Sequence, residues 1–283
     1  MGVTREIVRV DCPDDVGLIH RITGVLEARG LNIESNHEFV DAATRQFFFR
    51  AEVTPAGDAP AAGPLAGALE RVLPTAARVR VTRAERRPIV VCATREPHCV
   101  GELLLLDAIG ELPGRIAAVI SNHDLLRGLV ERFGVPFHHV AVVGEDRTAH
   151  ETALAAAIDA HGPEYVVLAR YMRFLSAAFI ARYQDRIVNI HHSFLPAFAG
   201  ASPYRQAFAR GVKLIGATAH FVTAELDAGP IIAQDVIPVD HSFTPERMAR
   251  AGSDVEKRVL ARAVRLVLEE RVFLHGQRTV VLG

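Results

Sequence analysis

The amino-acid sequence predicts an α/β protein of two units. Residues 1–86 read as a ferredoxin-like βαββαβ unit, and residues 87–283 as a Rossmann-like, mostly parallel sheet. Three observations lead there. Alternating and 3.6-residue periodicities in the first part give the order strand, helix, strand, strand, helix, strand. After residue 89, short and almost wholly apolar runs alternate with helical patterns, which suits strands covered on both faces. Between the two rhythms lies a charged segment, 83–88, that ends in proline.

Each element follows from its local pattern. Residues 5–11 alternate and read as a strand. Leu18, Ile22, Val25 and Leu26 fall on one helical face, and Gly30 stands where a helix should stop. Residues 32–41 and 46–53 read as strands around a turn, 65–72 as a weak helix and 79–81 as a last strand. The stretch 56–67 is small, Pro/Gly-rich and reads as a mobile loop. In the second unit the apolar runs are 89–93, 116–120, 139–143, 165–168 and 187–190. The helical patterns between them are 98–109, 124–133, 148–161 and 173–183, followed by extended stretches at 214–222 and 231–238. Thr244-Pro245 resembles a helix start. Ser253 to Glu256 fits a capping box, so a new helix is expected after Gly252, burying Val255, Val259, Ala263, Leu266 and Val267.

Composition excludes several classes. The formal net charge is −1, without the basic excess of a nucleic-acid binder. No apolar run approaches the roughly 18 residues of a membrane span, and the N-terminus lacks a signal-peptide pattern. Three cysteines, Cys12, Cys92 and Cys99, form no disulfide framework or zinc spacing, so a reducing cytoplasmic setting is expected.

The chemistry-bearing residues gather late in the chain. Asn189 and His191 stand two apart at the end of an expected parallel strand, where ligands of open sheets bind. An amide beside an imidazole suits acyl chemistry, one stabilising an oxyanion and the other moving a proton. Asp227, in a Gly-Pro turn, offers the carboxylate that such a pair needs. Capping or a buried polar role is the alternative for Asn189 and His191, and turn chemistry for Asp227. His191, His192 and His220 could instead hold a metal, although no ligand spacing supports it.

The sequence NIHHSFLP (189–196), AHFV (219–222) and ELDAGPII (225–232), preceded by LARYMRFLS (168–176), resembles the folate-dependent formyltransferase family. The resemblance implies Asn189, His191 and Asp227 as a catalytic triad. It also implies a pterin and folate site at Met172, Arg173, Leu175 and Ser193 and on the loop carrying Thr223, Glu225 and Gly229. The first unit, through 11–41 and FFFRAEV (47–53), resembles an ACT domain. The combination is similar to the formyltetrahydrofolate deformylase family. Further segments share that likeness: ISNHD (120–124), GASPYRQAF (200–208), the long stretch 231–263 and RVFLHGQRTVVL (271–282). A departure lies at Leu105-Leu106-Asp107, where basic and aromatic residues are expected; it bears on helix packing or an interface rather than the triad.

The resemblance implies hydrolysis of 10-formyltetrahydrofolate to formate and tetrahydrofolate, feeding purine biosynthesis and balancing one-carbon folate pools. The alternatives are formyl transfer to a small amine and a non-catalytic folate or amino-acid sensor. A phosphate-bearing acceptor is disfavoured because ATREPH (93–98) lacks the glycine turn that would cradle it. No metal or cofactor is required, and neither nucleic acid nor membrane is an expected partner. The ACT likeness implies a homo-oligomer, a dimer or tetramer. It also implies an effector site at Asp14, Gly17, Leu18 and Asn32 for an amino acid such as glycine or methionine, with a purely assembling role as the alternative.

Overall fold

The computed structural model describes residues 5–56, 64–142, 147–197 and 203–283. The first unit contains β1 (Glu6–Pro13), α1 (Leu18–Ala28), β2 (Leu31–Asp41), β3 (Gln46–Pro55), α2 (Leu65–Glu70) and β4 (Arg78–Arg83). Its sheet has the order β2-β3-β1-β4 with antiparallel neighbours, the ferredoxin-like arrangement. The period-2 set Val8, Val10 and Cys12 of β1 packs with Leu18, Ile22 and Leu26 of α1 in one core. Gly30, at φ +64°, closes α1 as its position foretold. Residues 57–63 of the expected mobile loop lie outside the described residues.

The second unit runs β5 (Arg87–Ala93), α3 (Pro97–Ala108), β6 (Gly114–Ser121), a 3-10 turn (Asp124–Leu126), α4 (Arg127–Glu131), β7 (Phe137–His139) and α5 (Arg147–Asp159). It continues through β8 (Tyr165–Ala169), α6 (Ala177–Arg182), β9 (Ile187–His191), α7 (Pro203–Ala209), β10 (Leu214–Phe221), β11 (Ile231–Pro238) and α8 (Pro245–Leu268). Seven strands lie in the order β11-β10-β9-β8-β5-β6-β7. From β5 to β9 the pairs are parallel; β10 is antiparallel to both its neighbours. The chain winds outward from β5 to β7, then returns to β8 on the other side. That reversal opens a crevice at the carboxyl ends of β5 and β8.

Several local expectations are corrected. The helix expected over 173–183 shrinks to α6, because 170–176 is an extended loop held by side chains described below. The pattern 124–133 divides into the 3-10 turn and α4. The strand expected over 139–143 is β7, shifted toward the N-terminus; Val143 lies outside the described residues. The capping box does not start a helix. Helix α8 runs unbroken through Gly252, and Ser253 Oγ donates back to the Ala249 carbonyl at 3.0 Å. The five expected core residues of α8 are nevertheless buried. In the departing segment, Asp107 accepts from the Ile116 amide at 3.0 Å and pairs with Arg86, which fixes the end of α3.

A C-terminal hairpin, β12 (Val272–His275) and β13 (Arg278–Val281), completes the chain. Contacts group 1–85 with Glu269–Phe273 and Val280–Gly283, and Arg86–Leu268 with Leu274–Thr279. The sequence boundary gave every residue after 86 to the second unit; the chain's end instead belongs largely with the first. Phe48 packs edge-on against Phe273 at 5.5 Å, beside Leu282. Glu270, fully buried, pairs with Arg9 at 2.5 Å and Arg80 at 3.2 Å. No helix among the described residues is long and apolar enough to cross a membrane.

Candidate active site

Strand β9 carries Asn189 and His191 on one side, as their spacing requires, and both line a cleft of about 440 Å³. The loop between β10 and β11 brings Asp227 to the same cleft. His191 Nδ1 lies 3.3 Å from Asp227 Oδ1, while the buried His191 Nε2 has no hydrogen-bond partner among the described residues. The bond from His191 is the main reason the Asp227 carboxyl sits below the usual carboxylate range; burial opposes it. Asp227 has a left-handed φ of +54°, so the turn conformation itself aims the carboxylate. Gly229 then passes so close to β10 that a Cβ there would lie 1.8 Å from the Phe221 carbonyl oxygen.

His220 completes the arrangement and was not singled out for this role by the sequence. It stands opposite Asn189 in the β9–β10 register. Its Nδ1 lies 2.8 Å from the Phe221 carbonyl, so Nδ1 carries the proton, and Nε2 is left to accept from Asn189 Nδ2 at 3.2 Å. Burial lowers the His220 pKa, which keeps this acceptor neutral. The pair fixes the orientation of the Asn189 amide and leaves its second N–H available to a ligand.

The segment 170–176 forms another wall. The Met172 amide donates to Thr94 Oγ1 at 3.0 Å, and Tyr171 Oη meets His150 Nε2 at 3.0 Å. Ser176 donates to Glu151 through its amide, at 2.7 Å, and through its hydroxyl. These ties hold a short irregular backbone while Met172, Arg173 and Phe174 remain exposed. Met172, Arg173, Leu175, Thr223 and Glu225 all line the cleft. Ser193 does not: it is buried, donates to the Ala197 carbonyl at 2.8 Å and borders a separate hollow of about 210 Å³. Gly229 is not in the cleft wall either; its close approach shapes the loop that carries Asp227.

A buried polar cluster adjoins the triad. Glu256 of α8 meets His98 Nε2 at 2.8 Å and Tyr204 Oη at 2.7 Å, with Arg170 Nε at 3.4 Å. Burial opposes the Glu256 charge, but His98, Arg170 and Tyr204 together hold the carboxyl below its usual range. The His192 ring lies 5.2 Å from that of His191 and 6.0 Å from that of Tyr204, and burial pushes its pKa down to about 4. His98, Cys99 and Glu256 place ligating atoms within 4.8 Å of one another. Burial raises the Cys99 thiol well above its ordinary value, and Glu256 is already bonded, so this set suits a hydrogen-bond network better than a cation. The three histidines 191, 192 and 220 do not form such a group among the described residues.

The four effector candidates do not meet within one chain. Gly17 and Leu18 begin α1 beyond the end of β1, and the Asp14 amide bonds to the Arg45 carbonyl. Asn32 pairs with Thr54, beside the β3 residue Val53 that faces Glu6 at the start of β1. The length of β1, roughly 25 Å at about 3.3 Å per residue, separates them.

The Formyl transferase family profile matches residues 87–264 and the ACT domain profile residues 7–72. A formyltetrahydrofolate deformylase from Escherichia coli is 52% identical over 281 residues, covering 99% of each chain. The crystal structure of a formyltetrahydrofolate deformylase from Pseudomonas syringae pv. tomato superposes with a TM-score of 0.94 at 40% identity, covering 100% of this chain and 96% of that one. A glycinamide ribonucleotide transformylase from Symbiobacterium toebii covers 70% of this chain and 95% of its own, with a TM-score of 0.67 and 37% identity. The whole-chain likeness is thus to enzymes named for deformylation, and the partial likeness to one named for transfer. The chain belongs to the formyltetrahydrofolate deformylase family.

Proposed function

We propose that the protein hydrolyses 10-formyltetrahydrofolate to formate and tetrahydrofolate. The observation that carries this reading is the His191 imidazole. One nitrogen is bound to Asp227, and the other is buried without a partner among the described residues, in a cleft shared with Asn189. The spare N–H of Asn189 donates to the formyl oxygen. Asp227 takes a proton from water as the water oxygen bonds to the formyl carbon. His191 stabilises the resulting oxyanion and passes a proton to N10 as the carbon–nitrogen bond breaks, then regains one from Asp227 across their hydrogen bond, while the formic acid formed loses its proton to solvent and departs as formate beside an ionised Asp227. The folate ring system lies along Met172, Leu175 and the 223–227 loop. Neither metal nor cofactor is needed, so turnover should survive chelation.

Water is favoured as acceptor because α3 starts with Pro97 after a junction without glycine, which leaves no phosphate cradle there. The deciding experiment incubates the protein with 10-formyltetrahydrofolate in buffer without any amine. Formate and tetrahydrofolate should appear in equal amounts; formyl loss that requires an added amine would identify a transferase instead.

We further infer that the ACT unit assembles the protein as a homo-oligomer and takes an amino-acid effector. Its sheet ends at β2, which displays Phe39 and Val40. Two copies pairing there would bring Asn32 of one toward the 14–18 loop of the other, an arrangement one chain cannot supply. Glycine or methionine should then shift the substrate curve; no shift and no thermal stabilisation would leave assembly as the unit's role. Formate released in this way would supply purine biosynthesis and balance one-carbon folate pools.

A further inference from the structure

The residue that the proposed reaction leaves without a task is Arg170. It follows β8 directly and lines the cleft together with Asn189, His191 and Asp227. Its side chain is largely buried, at 15% exposure, yet Nε and Nη1 have no hydrogen-bond partner among the described residues. Glu256 lies 3.4 Å from Nε but already receives His98 and Tyr204. A buried guanidinium with idle N–H groups is costly unless something else occupies them. The backbone adds a second indication: Arg170 has a φ of +58°, a conformation suited to glycine, yet a long cationic side chain stands there.

We propose that Arg170 forms a small-carboxylate site inside the cleft that takes the formate released beside His191. This rests on the hydrolytic reading, since transfer to an amine releases no anion. Formate arises next to the negative Asp227 and would be repelled by it. A planar guanidinium offers a carboxylate two parallel N–H groups. Arg170, His192 and His191 line the same cleft, with the His191 and His192 rings 5.2 Å apart, so the guanidinium shares the space in which formate is released.

The test titrates sodium formate into the intact protein with tetrahydrofolate present, read by 13C-formate NMR and as product inhibition of hydrolysis, with sodium chloride as control. Wild type should bind formate saturably, with no comparable effect of chloride. Arg170→Gln should weaken formate at least tenfold. Arg170→Lys, which keeps the charge but not the fork, should weaken it severalfold and covers the case in which Arg170→Gln fails to fold. Absence of saturable formate binding to wild type, or equal binding by a folded Arg170→Gln protein, overturns the site. Absence of formate from the amine-free reaction overturns the hydrolytic reading instead, so the two failures are told apart.

Discussion

In the proposed mechanism Asp227 accepts the proton of water and Asn189 holds the oxyanion, so their losses should differ in kind. Asp227→Asn keeps the turn shape but removes the proton acceptor; turnover should nearly vanish while folate binding persists, measured by rate and by equilibrium titration. Asn189→Ala removes one oxyanion donor and should lower kcat by about 10²–10³. His220→Phe releases the Asn189 amide and should reproduce part of that loss in kcat with KM unchanged, because His220 acts through Asn189. The Asp227 carboxyl is held below its usual range, so its stabilising effect is complete above the unfolded pKa and is lost as pH falls through the depressed folded value. At this scale the sequence was legible where chemistry is local. Asn189 and His191 share a face through strand spacing, and Asp227 announces its turn through Gly-Pro. His220 was legible only as a histidine, because its partner is set by the β9–β10 register. Arg170, Tyr204 and Glu256 lie on three distant segments, and no local pattern joins them.

The elements around the cleft show tertiary contacts overriding local signals. Residues 173–176 continue a helical pattern, yet Thr94, His150 and Glu151 hold the stretch open and α6 starts only at Ala177. Gly252 has a capping box after it and reads as a stop, yet it lies inside α8 because Tyr204 crosses the helix there. A Cβ on Gly252 would lie 1.9 Å from Tyr204 Oη and 2.3 Å from its Cζ. Alanine improves helix propensity by about 1 kcal/mol, whereas overpacking costs about 1–3 kcal/mol. The clash should win, because Tyr204 is anchored to the buried Glu256. Gly252→Ala should therefore lower Tm by several degrees, and adding Tyr204→Ala should make the same glycine change neutral or stabilising. A higher Tm for the single variant would show that glycine is not there to admit the ring.

For the whole molecule, the missed feature is the return of the chain's end to its beginning, and β3 held the clue. An antiparallel strand with one solvated face alternates, but 47–51 is buried at every position. Phe47 and Phe49 fill the core under α1, so Phe48 and Arg50 need cover on the other face. Phe273 and Leu282 cover Phe48, and the Glu269 carbonyl accepts from Arg50 Nε at 2.8 Å. Sequence periodicity reveals that a cover exists but not which segment supplies it. Glu270 fastens that cover. Its buried carboxylate binds Arg9, itself only 16% exposed, so removing the acid strands a cation with little water to replace the lost partner. Breaking such a pair costs about 3–5 kcal/mol, whereas Glu269, part-exposed beside Arg271, should contribute less than about 1 kcal/mol. Glu270→Ala should accordingly strip hydrogen-exchange protection from the amides of β1 and β3, while Glu269→Ala leaves them protected. Equal protection in both variants would mean that the apolar contact of Phe48 with Phe273 and Leu282, not the ion pair, holds the end of the chain in place.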